Sequence, residues 1–191
     1  MQIDNLADDA ESFTSNAFLI DDQALIDTGA DPVILERLQN SDLQTVVITH
    51  SHHDHIENLP QIVEAHSPDV HAFEPDNLPV DAERGGDGDK IELAGTTFTA
   101  HHTPGHRDDH ICLHDPDSGV LFAGDLLFPG GSFGRTDLEQ GDRDTLIASI
   151  ERIAGLDVTA MYAGHDQPTT EDVDQQIQDS LAEARKHKPK Y

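Results

Sequence analysis

The chain has 191 residues, a length that suits one domain with a sizeable core. Its 38 acidic and 11 basic residues leave a formal charge of −27, yet Leu, Ile, Val and Phe still fill about a quarter of the positions, above the ~20% floor typical of disordered, highly charged chains. No apolar run approaches the roughly 18 residues that span a bilayer. The start, Met1-Gln2-Ile3-Asp4, has no basic segment leading into an apolar one, and the single cysteine, Cys112, cannot close an internal disulfide, so a cytoplasmic protein away from the membrane is expected.

The elements follow in chain order. Residues 17–20 and 24–26 read as a hairpin turning at Asp21-Asp22. Pro32–Leu38 reads as a helix, with Asp31 as N-cap and Pro32 at the first position, where its missing N–H costs nothing. Residues 45–49 (TVVIT) predict a buried strand from their β-branched content. Ile56, Leu59, Ile62 and Val63 predict a short amphipathic helix over 56–65, and 70–73 a further strand. Residues 74–89 read as a loop; the GGDGD run at 85–89 lacks the spacing and closing Glu of a calcium loop and predicts a turn into the strand Lys90–Leu93. Strands are expected at 96–100, 110–114 and 119–123, then a glycine-rich loop at 129–134, a helix at 142–154, a strand at 158–162 and a C-terminal helix over 168–185. Two halves, each of strands and then helices, suit two sheets packed together with helices outside.

Asp supplies 27 of the 38 acids, spread along the whole chain, while three of the four Lys fall in the last six residues. Such a charge repels itself at low salt, and the repulsion fades as the Debye length shrinks from about 10 Å at 0.1 M to about 3 Å at 1 M. The composition resembles that of proteins from the salt-filled cytoplasm of halophilic archaea; an ordinary acidic protein with a solvated surface is the other reading. No basic stripe is available to neutralise phosphates, which disfavours a nucleic-acid substrate.

The stretch that carries chemistry is Thr49-His50-Ser51-His52-His53-Asp54-His55, directly after the TVVIT strand. His50, His52, Asp54 and His55 form an H-x-H-x-D-H pattern of imidazoles and a carboxylate, the donors that a borderline cation such as zinc prefers. On a strand His50 and His52 would share one face, and the turn into the next helix would swing Asp54 and His55 toward a second position. Three later residues fit the same site: His106 in the Thr103-Pro104-Gly105-His106 turn, Asp125 after Phe122-Ala123-Gly124, and His165 after Ala163-Gly164. Asp125 and His165 directly follow a strand and a glycine, and Gly105 likewise precedes His106, where glycine allows a sharp bend.

This ordered set is similar to that of the metallo-β-lactamase fold superfamily, over about residues 15–170, and Leu25-Ile26-Asp27-Thr28-Gly29 resembles its early strand and turn. The resemblance implies an α+β fold, a four-layer αββα sandwich forming a single domain over residues 1–191 with the site at one edge. It also implies two metal positions, one held by His50, His52 and His106 and the other by Asp54, His55 and His165, with Asp125 bridging them. Asp54 would orient the nucleophile or take its proton. Two Zn2+ ions are expected, with one Fe2+ or a mixed Zn, Fe and Mn site as alternatives.

The segment from Leu126-Leu127-Phe128 through Gly134-Arg135-Thr136-Asp137 to Gln140-Gly141 resembles the glyoxalase II and persulfide dioxygenase branch. It implies hydrolysis of a small-molecule thioester or related ester. A mononuclear iron persulfide dioxygenase and a nuclease or phosphodiesterase of the same superfamily stand as alternatives. Arg135 is a candidate substrate contact, or else an ion-pair partner of Asp137. His53 is expected to be exposed or beside the ligands, His101 and His102 partly buried on a strand, and His110 and His114 structural. Cys112 reads as a small buried apolar residue and Tyr162 as core.

Overall fold

Three-residue apolar runs become strands here because neighbouring runs take up their backbone hydrogen bonds. The computed structural model describes residues 1–186. They form two compact units, Met1–Phe98 and the part from Thr99 onward.

The first unit holds β1 (Ile3–Asn5), β2 (Phe18–Ile20), β3 (Ala24–Ile26), α1 (Pro32–Leu38), β4 (Thr45–Val47), α2 (His53–Ile56), α3 (Leu59–His66), β5 (Asp69–Ala72) and β6 (Glu83–Arg84). Its sheet runs β1-β2-β3-β4-β5-β6, antiparallel through β3 and parallel beyond it. Leu19, Leu25, Val46 and Val70 of the sheet pack with Ile34 and Leu38 of α1 and Leu59 and Ile62 of α3 in one core. Asp31 caps α1 as expected, its carboxylate accepting from the Val33 N–H at 2.9 Å. The same side chain accepts from Ser12 Oγ at 2.6 Å and from the Ser12 and Glu11 N–H groups. These donors, the Ser12 hydroxyl foremost, hold its pKa down to about 2, so the cap survives until the pH falls well below the ordinary carboxylate range.

Three local expectations are corrected. Strand β4 stops at Val47 rather than Thr49, because the Thr49 N–H turns to the Asp27 carboxylate at 2.8 Å instead of a neighbouring strand. The helix expected over 56–65 breaks into α2 and α3 around Asn58, whose amide donates to the carbonyls of Thr28 and Asp31 at 3.1 and 3.0 Å. Strand β1 was not foreseen, and the expected 74–89 loop contains a 3-10 turn at Pro75–Asn77 and the edge strand β6.

The chain passes from the first unit to the second along the hairpin of β7 (Lys90–Leu93) and β8 (Thr96–His102). There follow β9 (Ile111–Asp115), β10 (Val120–Gly124), the small hairpin of β11 (Leu127–Phe128) and β12 (Ser132–Phe133), α4 (Arg143–Ile153), β13 (Ala160–Ala163) and α5 (Val173–Lys186). The second sheet runs β13-β10-β9-β8-β7, with β13 parallel to β10. Leu121, Ala123 and Met161 pack with Leu146 and Ile150 of α4 and Ile177 and Leu181 of α5. The expected helix over 168–185 begins only at Val173, since Thr169 exchanges backbone hydrogen bonds with Met161 at 2.9 and 3.0 Å. Helices therefore pack against each sheet, and no helix among the described residues is long and apolar enough to cross a membrane.

The formal charge of −27 makes a salt prediction. Raising KCl from about 0.1 M to about 1 M is expected to lift Tm by about 10 °C, the shift that a few kcal/mol of relieved repulsion produces in a chain of this size. Thermal melts followed by circular dichroism measure it; a Tm independent of salt would show that the acidic surface carries no such strain.

Candidate metal centre

In the first unit one carboxylate orients His55 directly and His50 through Thr49. Asp27 follows β3 in the left-handed region (φ 56°) and is almost wholly buried. Its Oδ1 accepts from the Thr49 N–H, and its Oδ2 accepts from Thr49 Oγ1 at 2.8 Å and His55 Nδ1 at 2.9 Å. The contact puts the His55 proton on Nδ1 and makes Nε2 the lone-pair atom, the usual way a carboxylate prepares an imidazole for a cation. Thr49 passes the same constraint along, since its hydroxyl, having donated to Asp27, accepts from His50 Nδ1 at 3.0 Å. His50 Nε2 then lies 3.0 Å from His52 Nδ1. Two nitrogens bound to one tetrahedral zinc at about 2.0–2.1 Å sit about 3.3 Å apart, so this pair fits a shared ion. The first turn of α2 brings the ligand atoms of Asp54 and His55 within 4.8 Å of one another. His53 on the same turn is exposed and meets Glu57 at 3.3 Å, away from this group.

In the second unit Asp125 is the centre. Gly124 ends β10 in the left-handed region (φ 48°), and the Gly164 N–H donates to its carbonyl at 2.8 Å, which ties the turn bearing His165 to the turn bearing Asp125. Asp125 Oδ2 lies 3.5 Å from His106 Nε2 and 3.7 Å from His165 Nε2. His106 donates through Nδ1 to the Arg135 carbonyl at 2.8 Å, so its lone pair is on the Nε2 that faces Asp125. The Arg135 side chain is engaged elsewhere: its guanidinium grips Asp137 with two bonds of 2.9 Å on the exposed surface and holds that carboxyl down to about 2. What Arg135 offers His106 is its main chain.

Each unit thus brings its own ligand-type residues together: His50, His52, Asp54 and His55 in the first, and His106, Asp125 and His165 in the second. Sequence reasoning missed the roles of Asp27 and Thr49: Asp27 stands in the segment 25–29 that resembles the superfamily's early strand and turn, and Thr49 reads as the last residue of a strand.

The profile of the metallo-beta-lactamase superfamily matches residues 11–165, most of the chain. The chain belongs to that superfamily. It is 39% identical over 153 residues to the hydroxyacylglutathione hydrolase of Chromohalobacter salexigens, covering 76% of this chain and 58% of that protein. It therefore spans little more than half the length of that relative. It is also 33% identical over 191 residues to the hydroxyacylglutathione hydrolase GloC of Haemophilus influenzae, covering 83% of this chain and 89% of that one. Among solved structures, BLEG-1 B3 metallo-beta-lactamase superposes with a TM-score of 0.78 at 25% identity, covering 93% and 97% of the two chains. The expected metallo-β-lactamase fold is the fold observed.

Proposed function

We propose that the protein is a metal-dependent hydrolase of a small-molecule thioester or related ester, working through a dinuclear centre. His50, His52 and His106 would hold one ion, Asp54, His55 and His165 the other, and Asp125 would be shared. The observation that carries the reading is the single oxygen of Asp125 within 3.5 and 3.7 Å of two imidazole nitrogens, near enough for one carboxylate to serve the ions both rings would hold. The names of the relatives, hydroxyacylglutathione hydrolase, support the thioester. Zinc is the proposed metal because its preferred donors are those present.

A bound metal pair would supply an acidified water, its pKa lowered toward roughly 7, and an electrophile for the carbonyl oxygen. The chain's own residues do the rest. Asp27 and the Arg135 carbonyl keep the lone pairs of His55 and His106 in place, and Thr49 does so for His50. Hydrolysis adds water across the C–S bond: the acyl carbon gains the hydroxyl and the thiol sulfur gains the proton. Asp54, in the first turn of α2, is assigned to carry that proton between them. The acidic surface supports a small-molecule substrate over nucleic acid, and a salt-rich cytoplasm is the proposed setting.

The test is metal analysis of protein purified in high salt, with a substrate screen. About two zinc ions per chain are expected, together with hydrolysis of a 2-hydroxyacyl thioester that falls at least about a hundredfold after chelation and returns with zinc. One iron per chain with oxygen uptake on a persulfide would replace this reading with the dioxygenase. Cleavage of bis(p-nitrophenyl) phosphate without thioester turnover would replace it with a phosphodiesterase.

A further inference from the structure

Three side chains outside the ligand set lie in one buried circuit that starts and ends at the C-terminal end of β10. The Asp125 main-chain N–H donates to His110 Nε2 at 2.9 Å, so Nε2 carries the lone pair and the proton of the neutral ring is on Nδ1. That proton is donated to Thr103 Oγ1 at 2.8 Å. The hydroxyl's own proton has two acceptors at 3.4 Å, the His101 carbonyl and Cys112 Sγ. An O–H···O bond is ordinarily about 2.5–3.0 Å, whereas the larger radius of sulfur makes the longer distance a normal one, so the thiol is the better acceptor. The Cys112 thiol in turn donates to the Ala123 carbonyl at 3.4 Å. Burial pushes that thiol up to about 12, which keeps its proton available for donation. His110, Thr103 and Cys112 are all fully buried. Every donor points the same way round, from Asp125 N–H to the carbonyl two residues before it, the arrangement in which successive hydrogen bonds polarise one another.

We propose that His110 is a positioning residue for Asp125, with Thr103 and Cys112 serving to set the tautomer of its ring. The Nε2 acceptor fixes how the main chain leaves β10 and so holds Oδ2 near both His106 and His165; the inference rests on the reading of Asp125 as the shared ligand.

Zinc titration against a chromophoric chelator tests this in two variants, with melts alongside to follow the fold. His110→Gln places a carbonyl oxygen about where Nε2 was and keeps an acceptor for Asp125. His110→Asn keeps a donor toward Thr103 and loses that acceptor. Affinity for the weaker-held zinc is expected to fall about 10–100-fold in H110N and to stay within about threefold of the parent in H110Q. Parental affinity in both variants, or equal loss in both, would overturn the proposal. An Asp125→Asn chain that still binds two zinc ions normally would instead remove the ligand assignment, and the circuit's role with it.

Discussion

Asp125→Asn is expected to retain less than one metal ion per chain after dialysis and to lose at least about a thousandfold in kcat/KM for the thioester. The substitution preserves shape while removing one negative charge and one of the two ligand oxygens. Asp125 is 7% exposed, and its Oδ2 stands 3.5 and 3.7 Å from two imidazole nitrogens. A neutral amide cannot offset two dications sharing one site. The loss should therefore exceed that from removing a single terminal ligand such as His52. Elemental analysis of both variants decides it. An Asp125→Asn chain with two metals and parental turnover would show that the bridging role belongs to another group.

Gly134→Ala is expected to lower stability by about 3 kcal/mol, or about 10 °C in Tm, without replacing any proposed ligand. A Cβ built at this position would lie 1.9 Å from the Asp125 carbonyl oxygen and 3.2 Å from His106 Nδ1. The first distance is far inside van der Waals contact, and its partner is main chain, which cannot rotate away. Gly134 also donates its N–H to the Leu126 carbonyl at 3.2 Å, so relief must displace either the strand end that carries Asp125 or the segment that holds His106. Gly130→Ala is the control: its backbone is strained for alanine (φ 80°), but an added Cβ meets nothing within 4 Å. It should cost about 1 kcal/mol and leave zinc binding unchanged. Equal melts for the two variants would show that the close approach at Gly134 is not maintained in solution.

Ligand-type residues could be picked out from the chain because metal binding demands particular donor atoms. The run from His50 to His55 packs four of them into six residues, a density that neither a core nor a solvated face calls for. Asp125 and His165 were readable for a related reason, each standing just past a strand and a glycine, where a bend is needed. The strands whose apolar runs had apolar neighbours were placed within a residue or two. Strand β1 escaped notice because its three residues, Ile-Asp-Asn, bury little and form a strand only through pairing with β2. The break between α2 and α3 escaped for a similar reason: the local periodicity is helical throughout, and Asn58 interrupts it by bonding to carbonyls 30 and 27 residues away.

Donor type is a property of the individual residue and is written in the chain itself. Which nitrogen of an imidazole holds the proton, and which is left to meet a cation, depends on a partner brought in by folding. Asp27 reaches His55 across 28 residues, the Arg135 carbonyl reaches His106 across 29, and His110 reaches Asp125 across 15. No periodicity or spacing encodes such pairs, because each exists only when separate strand ends are carried to the same place and the buried polar atoms there must find one another.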